Sequence, residues 1–472
     1  MRRLCALFFG LVLLGSSTTL AQFPEDALRL SMPGLGIGAR ALGMGGAYNG
    51  VASDYSAIYW NPAGLAQMTR AEFSAGLSYL NTKDDGSFFG TTTGAENNVT
   101  NVNTFGIVHP VPVRRGSLVL AFGFHRQGSF ASGLEFKGYN PNSSIIQSYA
   151  PNGQTYPADL SDNLAYQLYL ADLDTLAGRF VSPIAGRLTQ SGTVTESGGL
   201  NNWSIAGAVD IAPNTSVGLT VTYVAGSYRY DRSYTEEDRA NVYPVFPFDF
   251  ARLDLEDFVE GDISGVNAKF GLMYRIPERF RFGVTVKTPT AFTVKETYGT
   301  SATARFDDGD KRTYTFDGTT EYDVRTPWVL GAGGSVILKD LLLSADAEFT
   351  DWTTAEFANA NSDLLLINKD IKSVFRSTWE FRFGGEYDVA GSGFRLRAGY
   401  GLRPSPYKGD PTDFDRKTIS AGAGMLLGGS VMLDLAYANT SWKNYRSNYD
   451  ATSLVNETLT WNTFLATLSY RF

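Results

Sequence analysis

Residues 394–403 read FRLRAGYGLR, and the order of side chains in that stretch decides the fold. Phe394, Leu396, Ala398, Tyr400 and Leu402 alternate with Arg395, Arg397, Gly399, Gly401 and Arg403. Successive side chains of a strand point to opposite faces, so the segment has one apolar face and one small or basic face. Phe73, Ala75, Leu77 and Tyr79 stand in the same way against Glu72, Ser74, Gly76 and Ser78. Leu118, Leu120, Phe122 and Phe124 stand against Val119, Ala121, Gly123 and His125. In a soluble sandwich the apolar faces would meet in a shared core, whereas in a membrane barrel they face lipid and the polar faces line a lumen. Periodicity does not separate these two.

Connection lengths do. The pattern predicts fourteen strands, at about 71–81, 102–111, 116–126, 202–213, 215–229, 262–276, 278–299, 311–337, 340–352, 376–389, 393–403, 416–427, 429–441 and 458–472. Every second connection is minimal: Pro112 to Arg115, Pro213-Asn214, Pro277, Lys339, Ala390-Gly391-Ser392 and Gly428. The alternate connections are long, above all 127–201, 230–261 and 353–375. An even-stranded meander with short turns at one end and long loops at the other is the layout of a bacterial outer-membrane barrel. The fold class is therefore all-β, a 14-stranded antiparallel transmembrane barrel. Trp203, Trp352, Trp379, Trp442 and Trp461 fall near strand ends beside long loops, as an outer aromatic girdle would require, and only Trp328 falls inside a proposed strand.

The composition agrees. Among 472 residues there are 50 glycines and 13% aromatics, with a mean hydropathy of only −0.13. The one continuous apolar run is at the start: Arg2 and Arg3, an apolar core over Leu4 to Gly15, then Thr19-Leu20-Ala21. This is the form of a secretory leader over residues 1–21, too short to span a bilayer. Its removal would take away the only cysteine, Cys5, and two positive charges, leaving −10 in place of −8. No thiol would then remain for disulfides, metal binding or nucleophilic catalysis. An acidic chain without a basic run is not built for nucleic acid. His109 and His125 read as ordinary strand residues, and no GxSxG accompanies them, so neither an enzyme, a metal site nor a cofactor site is indicated.

Before the barrel (69–472), residues 22–68 lack alternation. Glycines 34, 36, 38, 43, 45, 46 and 50 recur among Leu35, Ile37, Leu42, Met44, Tyr48, Tyr55, Ile58, Tyr59 and Trp60. So many apolar side chains need a dry place, and small residues let the backbone pass close to its surroundings. A compact segment wedged in the lumen satisfies both. No GxxxxGK[ST] is present, which argues against a phosphate loop.

Two stretches, GARALGMGGA at 38–47 and AIYWNPAGL at 57–65, resemble the N-terminal hatch of the FadL family of outer-membrane transporters for long-chain fatty acids and aromatic hydrocarbons. SADAEFTDW at 344–352, LRAGYGLRPSP at 396–406 and the strand opening at Asp415-Arg416 resemble the same family. The final Phe472 resembles the aromatic ending read by the barrel insertion machinery. The resemblance implies a hatch (plug) carrying Gly43, Gly45, Gly46, Asn61, Pro62, Ala63 and Gly64, a ligand pocket beside it, and passive uptake of a hydrophobic small molecule. It also implies exit into outer-membrane lipid through a gap near the third strand, which places Phe122, Gly123 and Phe124 as lateral-opening residues. A FadL-like barrel used as a scaffold in protein secretion or surface attachment would share the motif and is the alternative.

Lumen parity places Asn267, Lys269, Arg275, Arg279, Arg281, Thr285, Lys287, Asp346, Glu348, Glu380 and Arg382 inward. Most are expected to pair across strands. Lys269 and Lys287 have fewer acids nearby and are the ligand-binding candidates, suited to a carboxylate head. Within the long loop, Leu160, Leu164, Leu168, Leu170 and Leu173 recur at helical spacing, which predicts a helix over Asp159 to Arg179.

Overall fold

The computed structural model describes residues 24–34, 36–150, 160–246, 249–276 and 279–472; the leader read over 1–21 lies outside them, as do Leu35, Asp159 and Pro277. The strands run β1 (Glu72–Phe88), β2 (Thr91–Val111), β3 (Leu118–Ser129), β4 (Leu188–Ala212), β5 (Thr215–Glu237) and β6 (Phe250–Ile276). Next come β7 (Phe280–Lys287 with Ala291–Phe306) and β8 (Lys311–Arg325 with Val329–Leu338), each in two pieces. The rest are β9 (Leu341–Asp351), β10 (Ser377–Val389), β11 (Phe394–Arg403), β12 (Arg416–Leu427), β13 (Val431–Ser447) and β14 (Leu454–Arg471). All neighbours pair antiparallel, and β1 pairs with β14 from Glu72↔Arg471 to Ser87↔Asn456, which closes a fourteen-stranded barrel. Closure leaves no free edge, the condition for backbone to cross hydrocarbon.

The breaks in β7 and β8 fall at Thr288-Pro289-Thr290 and Thr326-Pro327-Trp328. Proline cannot donate to a ladder, and the β6–β7 register slips by one residue across the break. Thr290 and Thr326 rejoin β7 and β8, Thr290 N–H donating to Thr326 Oγ1 at 2.8 Å and Thr326 N–H to Thr290 O at 3.1 Å.

The strands extend well beyond the predicted ends at the long-loop side. β1 and β2 continue to a tight turn at Phe89-Gly90, where both residues have positive φ, and β4 begins at Leu188. NTKDDGS and TTTGAENNVTN are polar on both faces, so the alternation that marks a lipid-facing strand vanishes once the strand rises above the membrane. The region 127–201 is accordingly not one loop. It comprises the end of β3, a further strand at Ser132–Asn140 paired with β4, a short connecting unit, and the start of β4. In that unit the predicted helix is reduced to Leu164–Gln167; the chain then turns through Tyr169, whose φ is positive, into a hairpin of Asp172–Asp174 and Arg179–Val181. Leu164, Leu168 and Leu170 are nonetheless buried, in a core shared with Phe136, Tyr234, Phe250 and Leu253 of the extended wall. Their spacing reported burial, not helix.

The outward face is banded. Tyr470, Tyr387, Tyr274 and Phe280 are exposed near the short turns, and Tyr79, Phe464, Tyr437, Trp203 and Trp379 further up. Beyond the upper rings a row of amides links four strands: Asn439 donates to Asn462, Asn462 to Asn81, and Asn81 to Asn98, at 2.9, 3.1 and 2.7 Å. Rings give way to amides where lipid gives way to water. Of the predicted girdle, Trp203 and Trp379 do face outward. Trp352, Trp442 and Trp461 turn inward instead, and Trp328, at the β8 break, is 52% exposed. Proximity to a strand end does not fix which face a side chain takes; parity does.

Epitope tags inserted at Gly309 or within 404–412 are expected to be labelled on intact cells, and a tag at Gly391 only after the outer membrane is opened. Labelling of the Gly391 tag on unbroken cells would reverse the orientation.

Candidate functional site: the hatch and the cavity above it

Residues 36–68 fill the turn-side half of the lumen. Two short helices, Ala39–Gly43 and Ala57–Trp60, and a 3-10 turn at Pro62–Gln67 provide the only regular structure. Most of this backbone is irregular, and its polar groups must be satisfied from outside. The inward face of the wall does so. Thr220, Ser216 and Ser335 hydroxyls donate to the carbonyls of Ile58, Ala63 and Gly50 at 2.9, 2.9 and 3.0 Å. Asp346 Oδ2 accepts the amides of Tyr48 and Asn49, both at 2.8 Å. The polar parity of the strands therefore serves the hatch and does not line an open aqueous pore.

Within the hatch, Trp60 is the centre of packing. Its indole N–H donates to Ile37 O at 3.0 Å, and Tyr48 and Tyr59 meet it edge-on. Asn61 is fully buried: its Oδ1 accepts Ala63 N–H at 3.1 Å, and its Nδ2 donates to Asn49 O at 3.0 Å and to Leu272 O of the wall at 3.3 Å. Pro62 fixes the backbone at the start of the turn. The turn sits over wall glycines, and a Cβ at Gly271 would lie 2.2 Å from Asn61 Oδ1. Asn61→Ala is expected to weaken hatch seating by about 2–4 kcal/mol, since it orphans one amide and two carbonyls. Faster hydrogen exchange over 49–64, with barrel amides unchanged, would show it; unchanged exchange there would rule the role out.

The inward charges mostly pair or bind the hatch. Arg275 pairs with Asp210 at 2.6 Å, Arg382 with Glu380 at 2.8 Å, and Arg281 donates to Val51 O at 3.2 Å. Lys269 Nζ donates to Tyr59 O at 2.6 Å and sits 4.9 Å from the Tyr59 ring centroid. Lys287 lies directly opposite Lys269 in the β6–β7 ladder. Neither lysine lines the cavity above the hatch. His125, buried, is held by Asn202 at 2.9 Å and stands edge-on to Tyr59.

Above the hatch the lumen holds a cavity of about 360 Å³. One side is an N-terminal helix, Pro24–Ser31, which enters the lumen and buries Ala27, Leu28 and Leu30 against wall residues and an outer-loop helix, Ser362–Val374. The loop after β11 closes over it: Tyr407 donates to Glu25 Oε1 at 3.2 Å, and burial pushes the Glu25 carboxyl above its ordinary range. The cavity continues past Leu28, Met32, Leu42 and Leu465 to Asn103, Arg126, Gln127 and Gly128 in the wall.

At that point the wall is broken. The β2–β3 ladder ends at Thr104↔His125, and the β3–β4 register shifts between Arg126 and Gly128. β2 continues upward paired only with β1, until Thr93 meets the backbone of Glu135. Phe122, Gly123 and Phe124 lie just below the break in a continuous ladder with β2 and β4. Gly106 and Gly123 face each other there, with the Tyr55 hydroxyl of the hatch packed over both; a Cβ on either would come within 2.3 Å of that ring or its oxygen. On the lipid side Phe105, Phe124 and Trp203 pack together. Sequence parity located the strand, but the extra residue that breaks it, Gln127, falls outside the alternating run and left no signal.

One chain thus combines a hatch, a closed fourteen-stranded barrel and a cavity leading to a wall break. Residues 38–471 match the family described as "Outer membrane protein transport protein (OMPP1/FadL/TodX)". The chain belongs to this family. Among solved structures, a Pseudomonas aeruginosa FadL homologue matches with a TM-score of 0.60 and 13% identity, over 93% of this chain and 100% of that one. The Pseudomonas putida toluene transporter TodX matches with a TM-score of 0.56 and 13% identity, over 93% and 99% of the two chains. The Ralstonia pickettii toluene transporter TbuX follows at 0.50 and 16%, with 93% and 99% coverage. No curated protein sequence matches. FadL/TodX membership places the chain in the outer membrane as a transport protein for hydrophobic compounds, with its lipid-facing band between the two aromatic rows.

Proposed function

We propose that this FadL/TodX-family protein takes up long-chain fatty acids or related hydrocarbons passively, through the cavity above the hatch and out sideways at the β2–β3 break. In this reading residues 1–21 are removed as a leader, and the wall opening runs from Arg126 to Ser129, with Phe122, Gly123 and Phe124 as its lower lip. Lys269, bonded to Tyr59 O, belongs to the seating of the hatch, and Lys287 stands opposite it in the wall.

The observation that carries it is continuity: one cavity touches the outer loops at Asp410 and Phe414 and the broken wall at Asn103 and Gln127. Asn103 belongs to the β2 stretch paired with Gly76 and Leu77, short of the Tyr79–Phe464 ring pair at the upper edge of the apolar band. A hydrophobe leaving there meets hydrocarbon. It gains about 0.8 kcal/mol for each methylene buried, so a dry route needs no energy source beyond the gradient. The names of TodX and TbuX, toluene transporters, support a hydrophobic cargo.

The test is uptake of a radiolabelled hydrophobe by cells with and without the protein, repeated with Gln127 and Asn103 both changed to cysteine and oxidised. A disulfide across the break is expected to reduce uptake about tenfold, restored by reductant. Uptake independent of the protein would leave the scaffold reading; uptake indifferent to the cross-link would remove the lateral route.

A further inference from the structure

Arg416 opens β12 and points into the cavity. Its guanidinium carbon lies 4.4 Å from the centroid of Trp442 and 5.7 Å from that of Trp461, and the two indoles meet edge to face at 5.1 Å. Those rings hold the cation in place by quadrupole attraction, which leaves its N–H groups free. The Arg416 guanidinium makes no hydrogen bond or ion pair among the described residues. The other cations of the lining differ. Arg403 is paired with Glu380, Arg446 with Glu196 and Glu457, Arg29 with Asp26, and Lys443 with Asp413. Arg126 is spent on Asn201 and the Gly198 carbonyl.

A further observation points the same way. Buried polar atoms without a partner gather on this lining: Trp461 Nε1 and Thr463 Oγ1 on β14, Asn103 Oδ1 on β2 and Arg126 Nε on β3. Buried polar atoms of that kind are costly unless something meets them, and Trp461 Nε1, Thr463 Oγ1 and Arg126 Nε can donate. Of the six basic residues on the lining, the other five are ion-paired or hydrogen-bonded, so Arg416 is the cation left to a ligand. A cavity meant only for a neutral hydrocarbon has no use for a free guanidinium beside unmet polar atoms.

We propose that Arg416, laid on Trp442 and Trp461, is the residue by which the outer half of the cavity selects amphiphiles with a small anionic head over neutral hydrophobes of the same chain. The guanidinium offers a planar pair of donors to a carboxylate, Trp461 Nε1 lies on the same wall, and the apolar side chains of Leu28, Met32 and Leu465 receive the tail. This rests on the transport reading and sharpens it to a ligand class.

The experiment uses the full protein in lipid nanodiscs carrying N-phenyl-1-naphthylamine, a neutral fluorescent hydrophobe, displaced by dodecanoate or by methyl dodecanoate at pH 8. Empty nanodiscs correct for partition into lipid. Dodecanoate is expected to displace the probe from the wild type at about one-tenth the concentration the ester needs, the ratio of one charge-assisted contact. Arg416→Gln should bring the two within about twofold by weakening the acid alone. Equal displacement by acid and ester in the wild type overturns the proposal without any variant, so a misfolded Arg416→Gln does not shelter it. A preference that survives Arg416→Gln overturns it too. In both cases ester binding leaves the transport reading standing. Failure of the probe, the acid and the ester alike to bind removes both.

Discussion

Gly45→Val is expected to unseat the hatch while the barrel still folds. Gly45 has φ of +65°, a conformation that a β-branched residue adopts only under strain. A Cβ there would lie 2.7 Å from Tyr400 N and 3.0 Å from Phe383 O, both backbone atoms of the β10–β11 ladder. No rotamer change relieves a clash with backbone. The wall has already given way as far as it can: Gly384 and Gly399 lie beneath the turn, and a Cβ at Gly399 would stand 2.1 Å from Gly45 N. Strain and overlap together cost about 2–5 kcal/mol, enough to displace a segment that is held largely by side-chain contacts. The barrel's own ladder does not pass through the hatch, so heat-modifiability on gels should remain that of the wild type. Hydrophobe uptake should fall several-fold and influx of a small polar antibiotic should rise. A folded variant with wild-type uptake and no leak would mean that the hatch gates nothing.

The legible parts of this protein are those where a face meets lipid. β11, read at about 393–403 and found at Phe394–Arg403, was legible because its outward row must be apolar and its inward row small or basic. β1 and β2 were readable only up to about Tyr79 and Val102, since above the membrane neither face has to be apolar. The proline breaks in β7 and β8 did not disturb the count, because the two strands keep one register with each other through the break, Lys287↔Val329 below and Ala291↔Arg325 above, although the β6–β7 register slips by one residue there. The hatch motif was legible as glycines and apolar residues with nowhere to go, but not its partners, which come from strands hundreds of residues away. Arg416 and Trp442 illustrate the limit. Each looked like a strand-end residue, and only the closed barrel shows that both turn into the same cavity with Trp461.

The second large effect belongs to a buried charge cluster that latches the other end of the hatch. Arg40, on the hatch helix Ala39–Gly43, donates from Nε and Nη2 to Glu386 of β10 at 2.8 and 2.7 Å. Glu386 also accepts from Arg397 of β11 at 2.7 Å, and Arg397 reaches Asp434 of β13 at 2.7 Å. Such a cluster is stable as a whole yet costly when one member goes, because the remaining charge is left buried and unpaired. Glu386→Gln keeps the volume but sets an amide donor against two guanidinium groups. It should cost about 3–5 kcal/mol, most of it paid by the hatch, since Arg397 retains Asp434 whereas Arg40 keeps only Asp54 at 3.7 Å and the Ser53 hydroxyl. Hydrogen exchange over residues 38–50 should accelerate while the strands keep their protection. Removing the orphan should then help: Arg40→Gln with Glu386→Gln is expected to protect the hatch better than Glu386→Gln alone, a coupling that a merely structural loss at β10 would not show. If the double variant is as loose as the sum of the two single ones, the latch is only a contact, and the glycine-floored turn around Gly45 must hold the hatch without it.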